Sequence, residues 1–156
     1  MRKLAFVPLD RGEVVALWAG AGRSSYPACA GTTGLASNLE PDAGAEELEF
    51  AALNQAGILA LRSTTDPRRL VVAAEVDPAQ LTDSGGSSGE VSVRDLGWAQ
   101  VRALFADEPA AESQVARARA AAGGSSLPDA LGLPEVIELL DGSDLLWFAP
   151  EELDQL

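Results

Sequence analysis

"RRLVVAAEVD", residues 68–77, is a continuous apolar run rich in valine and bounded by charge at both ends. A strand with one wet face alternates apolar and polar side chains; this one presents apolar groups at successive positions and so reads as a strand covered on both faces. It is expected at the centre of a sheet, and the other elements are placed around it.

The element before it is "AEELEFAALNQAGILALRS", residues 45–63. Leu48, Ala52, Ala56 and Leu59 fall on one helical stripe, which Phe50, Leu53 and Leu61 widen. Glu46, Glu47 and Glu49 stand near the amino terminus and Arg62 near the carboxy terminus, as the helix dipole favours. So wide a face predicts a helix packed deep against the sheet. Further upstream, "LAFVPLD" (4–10) reads as a strand. "RGEVVALWAGAG" (11–22) reads as a helix facing inward through Val14, Leu17 and Trp18 and stopped by Gly20 and Gly22. "YPACAGT" (26–32) reads as a weak strand that Pro27 confines to an edge or a strand start.

Downstream, "EVSVRDL" (90–96) alternates as a half-buried strand does, and "GWAQVRALFADEP" (97–109) predicts a turn from Trp98 and a strand over Ala103 to Ala106. "AAESQVARARAAAGGSS" (110–126) predicts a helix stopped at Gly123 and Gly124, and Pro134 suits the first turn of a helix over Glu135 to Leu140. The tail "DLLWFAPEEL" (144–153) sets Leu145, Leu146, Trp147 and Phe148 side by side. It is either a last strand buried on both sides or an exposed docking strip. Burial, at roughly 1.5 to 3 kcal/mol per large apolar side chain, is the expectation.

Together these elements predict one α+β domain over residues 1–156, with a mixed or antiparallel sheet of about five strands and the long helix on one face. Gly/Ser stretches near 84–89 and 122–127 are expected to be flexible connections.

Charge narrows the function classes. There are 24 acidic against 11 basic residues, a formal net charge of −13, and no histidine. Nucleic acid and anionic membrane surfaces are disfavoured as partners, because both need clustered Lys and Arg. No segment reaches the ~20 apolar residues that span a bilayer, and "MRKLAFVPLDRGE" turns polar too early for an export signal. A cytoplasmic location is the expectation, and the single Cys29 fits a reducing compartment.

Without imidazole, Ser-His-Asp and Cys-His catalysis and histidine metal ligation fall away. Cys29 could act as a nucleophile if a helix terminus lowered its pKa, but no partner base is readable nearby and a small buried thiol is expected. "GAGRSS" (20–25) lacks the Lys-Ser/Thr ending of a phosphate loop and reads as chain punctuation. Asp141 with Asp144, or Glu46 with Glu47 and Glu49, could hold Mg²⁺ or Ca²⁺ through oxygen, yet such clusters are usually solvated turns and helix starts. No catalytic, cofactor or metal residue is assigned.

Two stretches carry acids and no base. Residues 38–54 hold Glu40, Asp42, Glu46, Glu47 and Glu49, and residues 128–156 hold Asp129, Glu135, Glu138, Asp141, Asp144, Glu151, Glu152 and Asp154. They serve solubility, or form a negative face for a basic protein partner.

"AEELEFAALNQA" (45–56), "RRLVVAAEVD" and "DLLWFAPEEL" together resemble an uncharacterised family of small acidic actinobacterial proteins. The resemblance runs from Val7 to Leu153, with "TTGLASNLEPDAG" (32–44) departing from the family's more helical pattern. It implies a shared fold and carries no activity or site residue, the family being a domain of unknown function. Three function classes stay open: a non-enzymatic protein-binding module with an acidic surface, a carboxylate/divalent-metal or nucleotide-dependent enzyme, and a DNA mimic.

Overall fold

Backbone hydrogen bonding gathers the apolar runs into one antiparallel sheet of seven strands, two more than expected. The computed structural model describes residues 2–156. The strands are β1 (Lys3–Pro8), β2 (Ser25–Ala30), β3 (Leu70–Val76), β4 (Leu81–Asp83), β5 (Glu90–Arg94), β6 (Val101–Ala106) and β7 (Leu146–Phe148), in the order β4-β5-β2-β1-β3-β6-β7. The helices are α1 (Arg11–Trp18), α2 (Thr33–Ala36), α3 (Ala45–Ser63), α4 (Glu112–Ala122), α5 (Leu127–Leu131) and α6 (Pro134–Gly142).

β3 is covered on both faces, as its composition demands. Val71 and Ala73 pack into one core with α3, α4, α5 and α6, while Leu70, Val72, Ala74 and Val76 pack into a second with α1. The strand sits between β1 and β6, one place from the middle of the sheet, which β1 occupies. α3 has the expected bounds and buries Ala52, Leu53, Ala56 and the run from Gly57 to Leu61. Phe50 does not join that face and is exposed. On α1, Val14 and Leu17 are buried, but Trp18 turns outward and is 62% exposed.

Pro27 was expected at an edge or a strand start; β2 lies inside the sheet, and Pro27 stands in its first half. The two agree locally: β1 pairs with β2 only at Cys29 and Ala30, so over Ser25–Pro27 the strand has β5 as its one neighbour. A residue without an N–H is tolerated where one side of the strand has no ladder. The turn at Trp98–Gln100 followed by β6 appears as expected.

The tail departs most from expectation. It forms a strand, but a three-residue one at the sheet's edge, with Leu146 44% and Trp147 61% exposed. Leu145 and Phe148 are half-buried against the two cores. An edge strand has one neighbour, and β7 pairs with β6 alone through Leu104↔Phe148, Phe105↔Trp147 and Ala106↔Leu146. A 3₁₀ segment, Pro150–Gln155, follows and carries Leu153 onto the α1 side of the sheet. Among the described residues no helix is long and apolar enough to cross a membrane.

Candidate functional site

At one end of the sheet, strands that are far apart in sequence bring their connections together: β1 into α1, α3 into β3, β6 into α4, and the start of β7. Short polar side chains tie these connections to one another. The Asp10 carboxylate accepts from the Thr65 N–H at 2.9 Å, the Asp66 N–H at 2.8 Å and the Thr65 hydroxyl at 3.2 Å. Asp66 returns the contact, its carboxylate accepting from the Arg11 N–H at 2.6 Å. Arg119 of α4 donates to the carbonyls of Asp66 and Leu61 and to the Thr64 hydroxyl. Burial lowers the Arg119 pKa from its ordinary value, against which Asp10 and Asp66 pull upward.

Beneath these contacts lies a buried ion pair. Asp107, the residue after β6, accepts from Arg69 through Nε and Nη2, each at 2.8 Å, and from the Arg69 N–H at 2.8 Å. The two side chains are 2% and 0% exposed. Such a pair is held by geometry, since each ion has lost its water and depends on the bidentate fork for compensation.

Above the pair opens a cleft of about 390 Å³. Leu70, Ala106, Leu146, Phe148 and Leu156 give it apolar walls, and Arg11, Asp66, Arg68, Glu108 and Glu112 carry its charges. The cleft was not foreseen from sequence. The signal lay in two separate places: the pair Arg68-Arg69 opening one buried strand and the pair Asp107-Glu108 closing another. Antiparallel neighbours place the start of one beside the end of the other, so the opposite charges meet. A second groove, of about 330 Å³ and sharing Arg11 with it, joins Trp18 and Trp98 with Leu153, Glu151 and Asp154.

The candidates singled out in the sequence lie elsewhere. Cys29 is buried in β2, its pKa pushed up to about 12 by burial first and by Glu90 second. A thiol held protonated at neutral pH is no nucleophile. In "GAGRSS" the Arg23 N–H donates to the Tyr26 hydroxyl at 2.7 Å, while the guanidinium lies over the Tyr26 ring and 3.2 Å from Glu13. That loop folds onto its own neighbours. Glu46, Glu47 and Glu49 stand in the amino-terminal part of α3, and Asp141 and Asp144 flank the end of α6, both exposed. Among the described residues no three His, Cys, Asp or Glu side chains are grouped to hold a metal ion. Of the acids in the second base-free stretch, Glu138 is answered by Arg117 at 3.2 Å.

The fold defines an α+β protein with an open antiparallel sheet, helices packed against it and one free apolar edge. Within that class the chain belongs to a family of unknown function (DUF6912), whose model matches residues 3–156. No curated protein and no solved structure matches the chain.

Proposed function

We propose that this chain is a cytoplasmic protein-binding module that takes an extended, basic segment of a partner protein onto the free edge of β7. The observation that carries this reading is the exposure of Leu146 and Trp147 on an edge strand. Outside the β6 ladder, no residue from Leu145 to Phe148 makes a backbone–backbone hydrogen bond among the described residues. An uncovered edge is a template for strand addition, and proteins ordinarily blunt it with charge or proline. Here it carries two large apolar side chains instead.

Charge selects the partner. Asp141, Asp144 and Glu151 around β7 are exposed, and the whole stretch from 128 to 156 contains no base. An incoming strand that alternates Lys or Arg with apolar residues would satisfy the ladder, cover Trp147 and neutralise the acids, with an attraction that salt weakens.

The test uses a Trp18→Phe/Trp98→Phe background, in which Trp147 is the one fluorophore of its kind. A synthetic peptide alternating Lys and Val is expected to shift Trp147 emission to the blue, more weakly at high salt. Trp147→Glu, followed by calorimetry because it removes the fluorophore, should weaken binding by about tenfold or more, or ~1.4 kcal/mol. Equal binding of an analogue with Glu in place of Lys would remove the charge argument, and an unchanged Trp147 spectrum would remove the edge.

A further inference from the structure

We infer that the cleft above the Arg69–Asp107 pair binds a small apolar zwitterion, a free α-amino acid with a hydrophobic side chain or a compound of that chemistry. At about 390 Å³ the cleft falls in the range of roughly 300–1,000 Å³ typical of small-ligand sites. It is large enough for one aromatic amino acid.

Its charges can be sorted by what they already hold. Asp107 is taken up by Arg69, the Asp66 carboxylate by the Arg11 N–H, and Arg68 lies 3.4 Å from Glu112. The Arg11 guanidinium and the carboxylates of Glu108 and Asp66 remain on the cleft wall in no ion pair among the described residues, Asp66 holding only that one neutral N–H. One unpaired cation, more than one unpaired anion and an apolar wall make a three-part demand.

A purely apolar ligand would strip water from Arg11 and Glu108 and return nothing, which is unfavourable for any charge. A phosphate or a dicarboxylate would satisfy Arg11 but bring further negative charge into a cleft whose unpaired acids, Glu108 and Asp66, already outnumber its unpaired base. An amino acid meets all three parts: its carboxylate answers Arg11, its ammonium answers Glu108, and its side chain lies against Leu146 and Phe148. The binding does not use Trp147, whose register partner Phe105 belongs to the opposite face of the sheet. Leu146 is common to both, so Trp147 is the residue whose response tells the edge from the cleft.

The experiment compares L-phenylalanine, its amide, which lacks the anion, and its N-acetyl derivative, which lacks the cation. Backbone amide shifts are followed in the full chain at millimolar ligand. Phenylalanine is expected to move Leu70, Ala106, Leu146 and Phe148, and each blocked derivative to bind at least about tenfold more weakly. Arg11→Gln should abolish the preference for the acid over the amide, and Glu108→Gln the preference for the free amine over the acetylated one. Both side chains are exposed, so an unchanged amide spectrum elsewhere checks the fold. Blocked derivatives that bind as well as phenylalanine, or shifts that miss the cleft, would overturn the inference.

Discussion

Arg69 sends a guanidinium into the interior, where Asp107 takes both ends of its fork and the carbonyl of Gly57 lies 3.4 Å from Nη1. Removing one partner strands the other without water. Asp107→Ala is therefore expected to lower the free energy of unfolding by about 3–5 kcal/mol. Arg69→Met combined with Asp107→Leu should cost much less than the sum of the single changes, because it removes both charges and leaves an apolar fill of similar volume. Urea midpoints across this double-mutant cycle measure the coupling, and additive single effects would show that the pair is not coupled. Nothing in the sequence marks Arg69 as interior: beside Arg68, itself partly exposed, it reads as half of a surface pair.

α3 owes part of its sequence to that same arginine. Glycine in mid-helix costs about 1 kcal/mol against alanine, so Gly57 needs a reason. A methyl group there would stand 3.1 Å from Arg69 Nη1 and 3.4 Å from Leu145 Cδ1. The guanidinium is held by two hydrogen bonds to Asp107 and one to the Gly57 carbonyl and cannot give way. Gly57→Ala is expected to destabilise, overpacking costs of about 1–3 kcal/mol outweighing the gain in helix propensity. The same change in the Arg69→Met/Asp107→Leu background should turn neutral or stabilising, with chemical denaturation of both pairs as the readout.

The elements also differ in how well the sequence announced them. α3 and β3 were legible because each is long enough for its pattern to show: stripes three and four apart in one, an unbroken apolar run from Leu70 to Ala74 in the other. β4, three residues long, is too short for any pattern. Leu145 to Phe148 misled for a different reason, since four apolar residues in a row look the same whether other elements cover them or not. Cover is a property of what packs alongside, which at β7 is β6 and no further strand. The cleft was invisible for the same reason, being assembled from residues near 11, 66–70, 106–112 and 146–156 that share no local pattern.

At the scale of the molecule, a net charge of −13 keeps copies apart while β7 invites them together. The sequence pI is about 4.2. As pH falls towards it the carboxylates take up protons, repulsion fades, and the apolar edge should drive self-association. Light scattering is expected to show larger species near pH 4.2 than at neutrality, and Trp147→Lys to suppress them by keeping a positive charge on the edge. Scattering unaffected by that substitution would place the sticky surface elsewhere.

The far border of the sheet sets the stoichiometry of such association. β4, as short as β7, differs in ending on Thr82 and Asp83, both exposed, with Asp83 turned back to accept from the Gly85 N–H at 2.7 Å. A molecule with one receptive rim and one guarded rim can join rim to rim with a twin, and that closed couple has no second receptive rim to offer. Growth by this route would halt at two, so self-association through the exposed tryptophan is expected to end at a pair and not a fibre.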